Sequence, residues 1–230
     1  MRFRAPRRAA LGLALPILAA GLAACGGPAQ RSEAPGPVQG AGAVTTEDRT
    51  PDAFEHLSVG AGIRVEVTEG AVVSVTLAAQ PNLLPLISTR VTDGQLVVNV
   101  ASPGFSTSEP VTLTVVAPDL RSMTLSGGAT GTLATTTTGT LTLDVSGGAV
   151  LVATGTAQAL ALTASGGAQA HLGGLEADTA TVTASGGCQA ELNVVIALSG
   201  DVTAGATVRL TRQPASVDVT TGGGGMVIGG

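Results

Sequence analysis

Four serines are each followed by two glycines: Ser126-Gly127-Gly128, Ser146-Gly147-Gly148, Ser165-Gly166-Gly167 and Ser185-Gly186-Gly187. A serine hydroxyl becomes a nucleophile only beside a base, and the chain offers two histidines, His56 and His171. A hydroxyl that recurs at a fixed interval beside glycine is better suited to hydrogen bonds with turn backbone. These triplets are therefore read as structural corners, and no catalytic residue is assigned. Glycine-rich turns cradle phosphate when a helix follows, usually with a lysine. This chain has no lysine, since all 11 basic residues are arginine. Asp201 and Asp218 align in one outward column of the repeat, but calcium wants roughly six to eight oxygens. The glycine turns lack the aspartate that calcium-binding solenoids carry there. No metal and no cofactor is expected. Cys188 falls where other copies carry Ala129, Ala149, Ala168 and Ala206, which reads as a small buried side chain.

A second set of polar residues comes from the same alignment. Six residues after each serine the column reads Thr132, Val152, His171, Glu191 and Arg209. His171, Glu191 and Arg209 should stack outward on successive coils, giving a candidate binding stripe. The plainer reading is an exposed ion-pair ladder, which contributes little energy.

The elements that position these residues are strands. Apolar and polar residues alternate in Ile63 to Val67, Val73 to Leu77, Leu96 to Val100 and Val111 to Val115. Asp93-Gly94 marks a hairpin, and Pro81 to Ile87 holds the one short helical turn. After Pro118 the Ser-Gly-Gly unit recurs at intervals near 20 residues, with weaker copies at Val202 to Ala206 and Val219 to Gly223. A period of that size marks a solenoid. One residue before serine lie Leu125, Val145, Ala164, Ala184, Val202 and Val219; three before lie Met123, Leu143, Leu162, Val182, Gly200 and Val217; seven after lie Leu133, Ala153, Leu172, Leu192, Leu210 and Val227. All three columns should point inward. The chain has no Trp or Tyr and three Phe, so its core must come from many small side chains in thin layers. Stacked coils about 4.8 Å apart achieve this. The expected fold is an all-β parallel β-helix, with less regular N-terminal strands over 54–118 and the repeats over 119–230.

The N-terminus reads as an address. Arg2, Arg4, Arg7 and Arg8 precede an apolar stretch from Ala9 to Leu22, and Leu22-Ala23-Ala24-Cys25 follows. The apolar run is short for a membrane span and fits a signal peptide. The last four residues resemble a bacterial lipobox, which implies cleavage after residue 24 and acylation of Cys25. By resemblance to Gram-negative lipoproteins, Gly26 in place of Asp after the cysteine implies outer-membrane sorting. Residues 25–53, rich in Gly, Pro and Ala, read as a flexible tether. Removal of the signal leaves seven arginines against 16 acids, a net charge of −9. With no basic patch, nucleic-acid binding is excluded.

The Ser-Gly-Gly-Ala corners resemble the head GIN domain family of auto-transporter adhesins. So do Phe54 to Val67, Asn82-Leu83-Leu84-Pro85-Leu86-Ile87 and Val91-Thr92-Asp93-Gly94-Gln95-Leu96. The resemblance covers Phe54 onward and implies a right-handed winding; it brings no catalytic residues. An auto-transporter would need a C-terminal membrane barrel. Here the run from Gly222 to Gly230 stands in its place, and the lipid is expected to serve as anchor. The function expected is a non-enzymatic envelope lipoprotein. Its outer surface, including Thr112, Thr114, Thr124, Thr142, Thr163, Thr181 and Thr183, serves adhesion or assembly with an envelope protein or surface ligand. The terminal coils should also pair with a second copy. The alternatives are an enzyme acting on polysaccharide, which rests on fold analogy alone, and a passive structural module.

Overall fold

The computed structural model describes residues 36–230. The signal segment and Cys25 lie outside the described residues. Strands β1 (Val38–Gln39), β2 (Thr45–Arg49), β3 (His56–Val59), β4 (Arg64–Glu69), β5 (Ser74–Ala79), β6 (Ile87–Thr92), β7 (Gln95–Val100), β8 (Phe105–Ser106) and β9 (Thr112–Ala117) come first. The repeats contribute β10 (Ser122–Leu125), β11 (Thr130–Val145), β12 (Val150–Ala164), β13 (Gln169–Ala184), β14 (Gln189–Val202), β15 (Thr207–Leu210), β16 (Ser216–Thr221) and β17 (Met226–Gly229). A 3-10 turn, Leu84–Leu86, is the one helical element among the described residues.

The result is a parallel β-solenoid with coils of about 20 residues. The long strands β11 to β14 serve two rows each. Their first parts continue from β4 and end on β15 and β17; their second parts continue from β10 and end on β16. Leu57, Met123, Leu143, Leu162 and Val182 occupy one register column, and each is buried. Val67, Leu133 and Ala153 form a second column on the other row, with Leu172, Leu192 and Leu210 at the matching place on later coils. Burying one Leu or Val is worth about 1.5–3 kcal/mol, but a single coil has no second layer to bury it against. The core therefore exists only through stacking.

The Ser-Gly-Gly corners lie above one another. Gly128 N–H donates to Gly147 O, Gly148 to Gly166, Gly167 to Gly186, Gly187 to Ala204 and Gly205 to Gly223, at 3.0–3.1 Å. In the corners at Ser126, Ser146, Ser165, Thr203 and Gly222 the fourth residue donates to the first, as Ala129 to Ser126 O at 3.1 Å. Both central residues have positive φ, 58° and 76° at Gly127 and Gly128. That is a type I′ turn, the reason glycine is favoured at both central places. The corners are thus held by backbone bonds rather than by the serine hydroxyls. A further corner, Gly60-Ala61-Gly62-Ile63, precedes the repeats, with Gly62 N–H donating to Gly127 O at 3.1 Å.

Three sequence expectations change. The tether expected to run to residue 53 is folded over its later part, because β2 pairs antiparallel with β5 and β1 pairs with β8. Four of the five β2 residues are exposed, so no apolar alternation betrays the strand. Asn82 holds this segment: its Oδ1 accepts from Ala41 N–H at 2.9 Å and its Nδ2 donates to Gln39 O at 2.7 Å. The last repeat also sits two residues later than expected. Gly222, aligned with Thr203, takes the serine place, Val219 pairs with Gly200, and Val227 pairs with Val208. Finally, the threonines do not form one face. Thr124, Thr142, Thr163, Thr181 and Thr183 lie on one row, whereas Thr112 and Thr114 lie on the other.

The two ends differ. At the N-terminal end β6 runs antiparallel to β7, joined at Asp93-Gly94, and β5 runs antiparallel to β9. The segment from β5 to β6 crosses this end and sinks Leu83 and Ile87 into the core, both almost fully buried. The other end finishes on β16 and β17.

Candidate functional site

His171, Glu191 and Arg209 are direct register partners on β13, β14 and β15. All three sit at outward places, because their neighbours Ala170, Leu172, Ala190, Leu192, Val208 and Leu210 are buried. With Gln189, Thr207 and Ile228 they line a shallow recess of about 190 Å³. Ion pairs at 4.0 Å or less link Arg49 to Glu47, Arg121 to Glu55 and Asp119, and Arg212 to Glu176. Among the described residues, Glu191 and Arg209 form no such pair with each other. The stripe offers a cation, a carboxylate and an imidazole side by side, with amide and hydroxyl groups at the rim. Such a surface can bind a polar partner by hydrogen bonds and charge. It has no nucleophile paired to a base.

The corner serines, Ser126, Ser146, Ser165 and Ser185, stand half-buried in one stack. The structure brings neither histidine to them. It does bring His56 to Ser122, a pair the repeat alignment could not reveal. His56 Nδ1 lies 2.8 Å from Ser122 Oγ, across the β3–β10 register. The two strands are joined through the irregular segment between Gly60 and Pro118, so no fixed period connects these residues. Beside them Arg121 donates to Asp119 through Nε and Nη2 and closes on Glu55 at 3.2 Å. The hydrogen bond to Asp119, then the charges of Asp119 and Glu55, push the Arg121 guanidinium up from its ordinary value. This cluster is exposed and ties the entry of β3 to that of β10.

Asp201 and Asp218 do not share a column. Asp201 pairs with Thr220, and Asp218 pairs with Ser199. The two-residue shift of the last coil separates them. Among the described residues no three His, Cys, Asp or Glu side chains gather as a metal site. Cys188 is fully buried and its Sγ donates to Ala164 O at 3.2 Å. Burial pushes the thiol up, offset in part by backbone hydrogen bonds at Ser185 and within Cys188 itself. A thiol so placed is not a nucleophile.

Fold and surface together define a stacked parallel β-solenoid module with a largely polar exterior. Residues 53–214 match the family described as "Putative auto-transporter adhesin, head GIN domain", and the chain belongs to that family. Among solved structures, a "putative adhesin" from Bacteroides fragilis superposes with a TM-score of 0.68 at 16% identity, covering 83% of this chain and 98% of its own. A "putative lipid binding protein" from Parabacteroides distasonis gives a TM-score of 0.52 at 10% identity, over 83% of this chain and 98% of its own. At these identities the likeness concerns the fold. No curated protein matches the chain. No helix among the described residues is long and apolar enough to cross a membrane.

Proposed function

We propose that the chain is a non-enzymatic lipoprotein of the cell envelope, acylated on Cys25, whose solenoid surface serves adhesion or assembly with another envelope component. Family membership supports the surface role, and the lipobox-like Leu22-Ala23-Ala24-Cys25 supports the anchor. Gly26 after the cysteine supports outer-membrane sorting in a Gram-negative cell. The observation that carries the binding reading is the row His171, Glu191 and Arg209 around its recess. Three different polar side chains in register, with no ion pair closed between Glu191 and Arg209, remain available to a partner. The module further associates with itself through its terminal coil, and the coils wind right-handed as the resemblance implies.

Two measurements test this reading. Cys25→Ala should move the protein from the membrane fraction to the soluble fraction; protein that stays on the membrane after signal removal refutes the lipid anchor. Wild-type protein should bind intact cell envelopes, and Arg209→Ala with Glu191→Ala should weaken that binding about tenfold. Unchanged binding by the folded double variant removes the stripe from the recognition surface.

A further inference from the structure

The roof of the last coil is apolar and uncovered. Val217, Val219 and Val227 pair with Leu198, Gly200 and Val208, so they occupy inward places of the stack. Their partners Leu198 and Val208 are buried, yet Val217 is 43% exposed and Val219 and Val227 are only half-buried. Outward on β17, Met226 and Ile228 are 53% and 42% exposed. The backbone is equally open. Met226 N–H donates to Ala206 O, so by strand alternation the amides of Val227 and Gly229 point away from β15. Gly222 N–H donates to Val202 O, which leaves the amides of Val217, Val219 and Thr221 on the free side of β16. No further strand covers either edge among the described residues. Exposed edges usually carry charge, proline or a bulge; β17 reads Met-Val-Ile-Gly and has none of these.

The opposite end is a poor match for this edge. Its outer strands are β6 and β2. β2 carries Glu47, Asp48 and Arg49, and Leu83 and Ile87 already fill the core mouth. Stacking of the C-terminal end of one copy on the N-terminal end of the next would set the charged β2 against the apolar β17 and meet a core mouth already filled.

We infer that two copies join through their last coils about a twofold axis, as a closed dimer. This rests on the terminal-coil association proposed above and gives it a geometry. An axis passing through both rows sets β16 antiparallel to its mate and β17 antiparallel to its mate. The open amides and carbonyls then pair, and the three valines of one roof cover the same three of the other. Both C-terminal ends are consumed, so growth stops at two.

Sedimentation of the mature chain carrying Cys25→Ala tests this across a range of concentrations. The expected result is a monomer–dimer equilibrium with no larger species. Val227→Pro removes an amide that only a docking strand would use and spares the bonds to β15. It should weaken the dimer at least about tenfold while the far-ultraviolet β signal persists. Ile228→Lys, a charge on the exposed side of β17, should do the same, and Val152→Lys on the distant surface should not. A monomer at every concentration overturns both the association and its geometry. Open-ended growth with concentration overturns the twofold geometry alone. A folded Val227→Pro or Ile228→Lys variant with unchanged dimer affinity overturns the role of β17.

Discussion

Cys188 is the residue whose environment most directly sets a measurable property. It fills the place held by Ala168 and Ala206 on neighbouring coils and lies wholly within the core. Burial raises its folded-state value above the ordinary 9.0, so the neutral thiol is the form the fold accepts. The linkage has a definite sign. Below pH 9 both states hold the proton and the fold keeps its full contribution from this site. Above pH 9 the unfolded thiol ionises ahead of the folded one, so stability falls as pH rises through that window. Urea unfolding between pH 8 and 10.5 should show this decline, and Cys188→Ala should flatten it. Thiol reagents should label Cys188 only as the chain opens. The corner glycines make a second prediction at this scale. Gly147 has φ of 61°, and an added Cβ would stand 3.1 Å from Gly127 N. Ala61 and Ala204 occupy the equivalent place at φ of 56° and 51°. Gly147→Ala should therefore cost only about 1–2 kcal/mol, read as a lowered unfolding midpoint, and Gly147→Val should cost more.

Among the elements, the segment that leads into the solenoid is held by strand pairing and a small set of side-chain hydrogen bonds. Asn82 grips Gln39 and Ala41, and Gln80 Nε2 donates to Gly42 O at 3.0 Å. Thr107 Oγ1 in turn donates to Gln80 Oε1 at 2.7 Å. Asn82→Ala should raise hydrogen exchange and protease cleavage across 38–49 and leave the repeats protected, a loss of about 1–2 kcal/mol confined to this segment. Retained protection there would show that β2–β5 pairing alone holds the strand. This segment also explains where sequence reading stopped. A strand that leaves four of its five residues exposed, as β2 does, has no periodicity to find. The repeats were legible because each coil places the same residue class at the same register, and the Asp93-Gly94 turn was legible because only such residues suit it. The final coil misled because Thr220 and Thr221 resemble the serine place, while backbone pairing assigns that place to Gly222. The stripe could be read from the serine alignment, since β13, β14 and β15 keep one register there. The His56–Ser122 contact could not, since an irregular span separates its strands.

For the whole molecule, stability is a sum of coil-to-coil interfaces. The interior coils, β12 and β13, have neighbours on both sides; β16 and β17 have one. Amide exchange should accordingly be slowest in β12 and β13 and fastest in β16 and β17. Self-association should slow exchange in the last coil selectively. The N-terminal end needs no such help, because antiparallel strands and the leucine-bearing crossing close it within one chain.

The stacked corners make the molecule extensible in whole steps. Val145 and Ala164 are register partners, each immediately ahead of a Ser-Gly-Gly corner. Excising residues 146–164 would join Val145 to Ser165 and present the next layer with the geometry it already meets. Such a chain would be shorter by one rung of about 4.8 Å, with both extremities unchanged. Gain or loss of a rung would thus adjust how far the last coil stands from the first without redesign of either end.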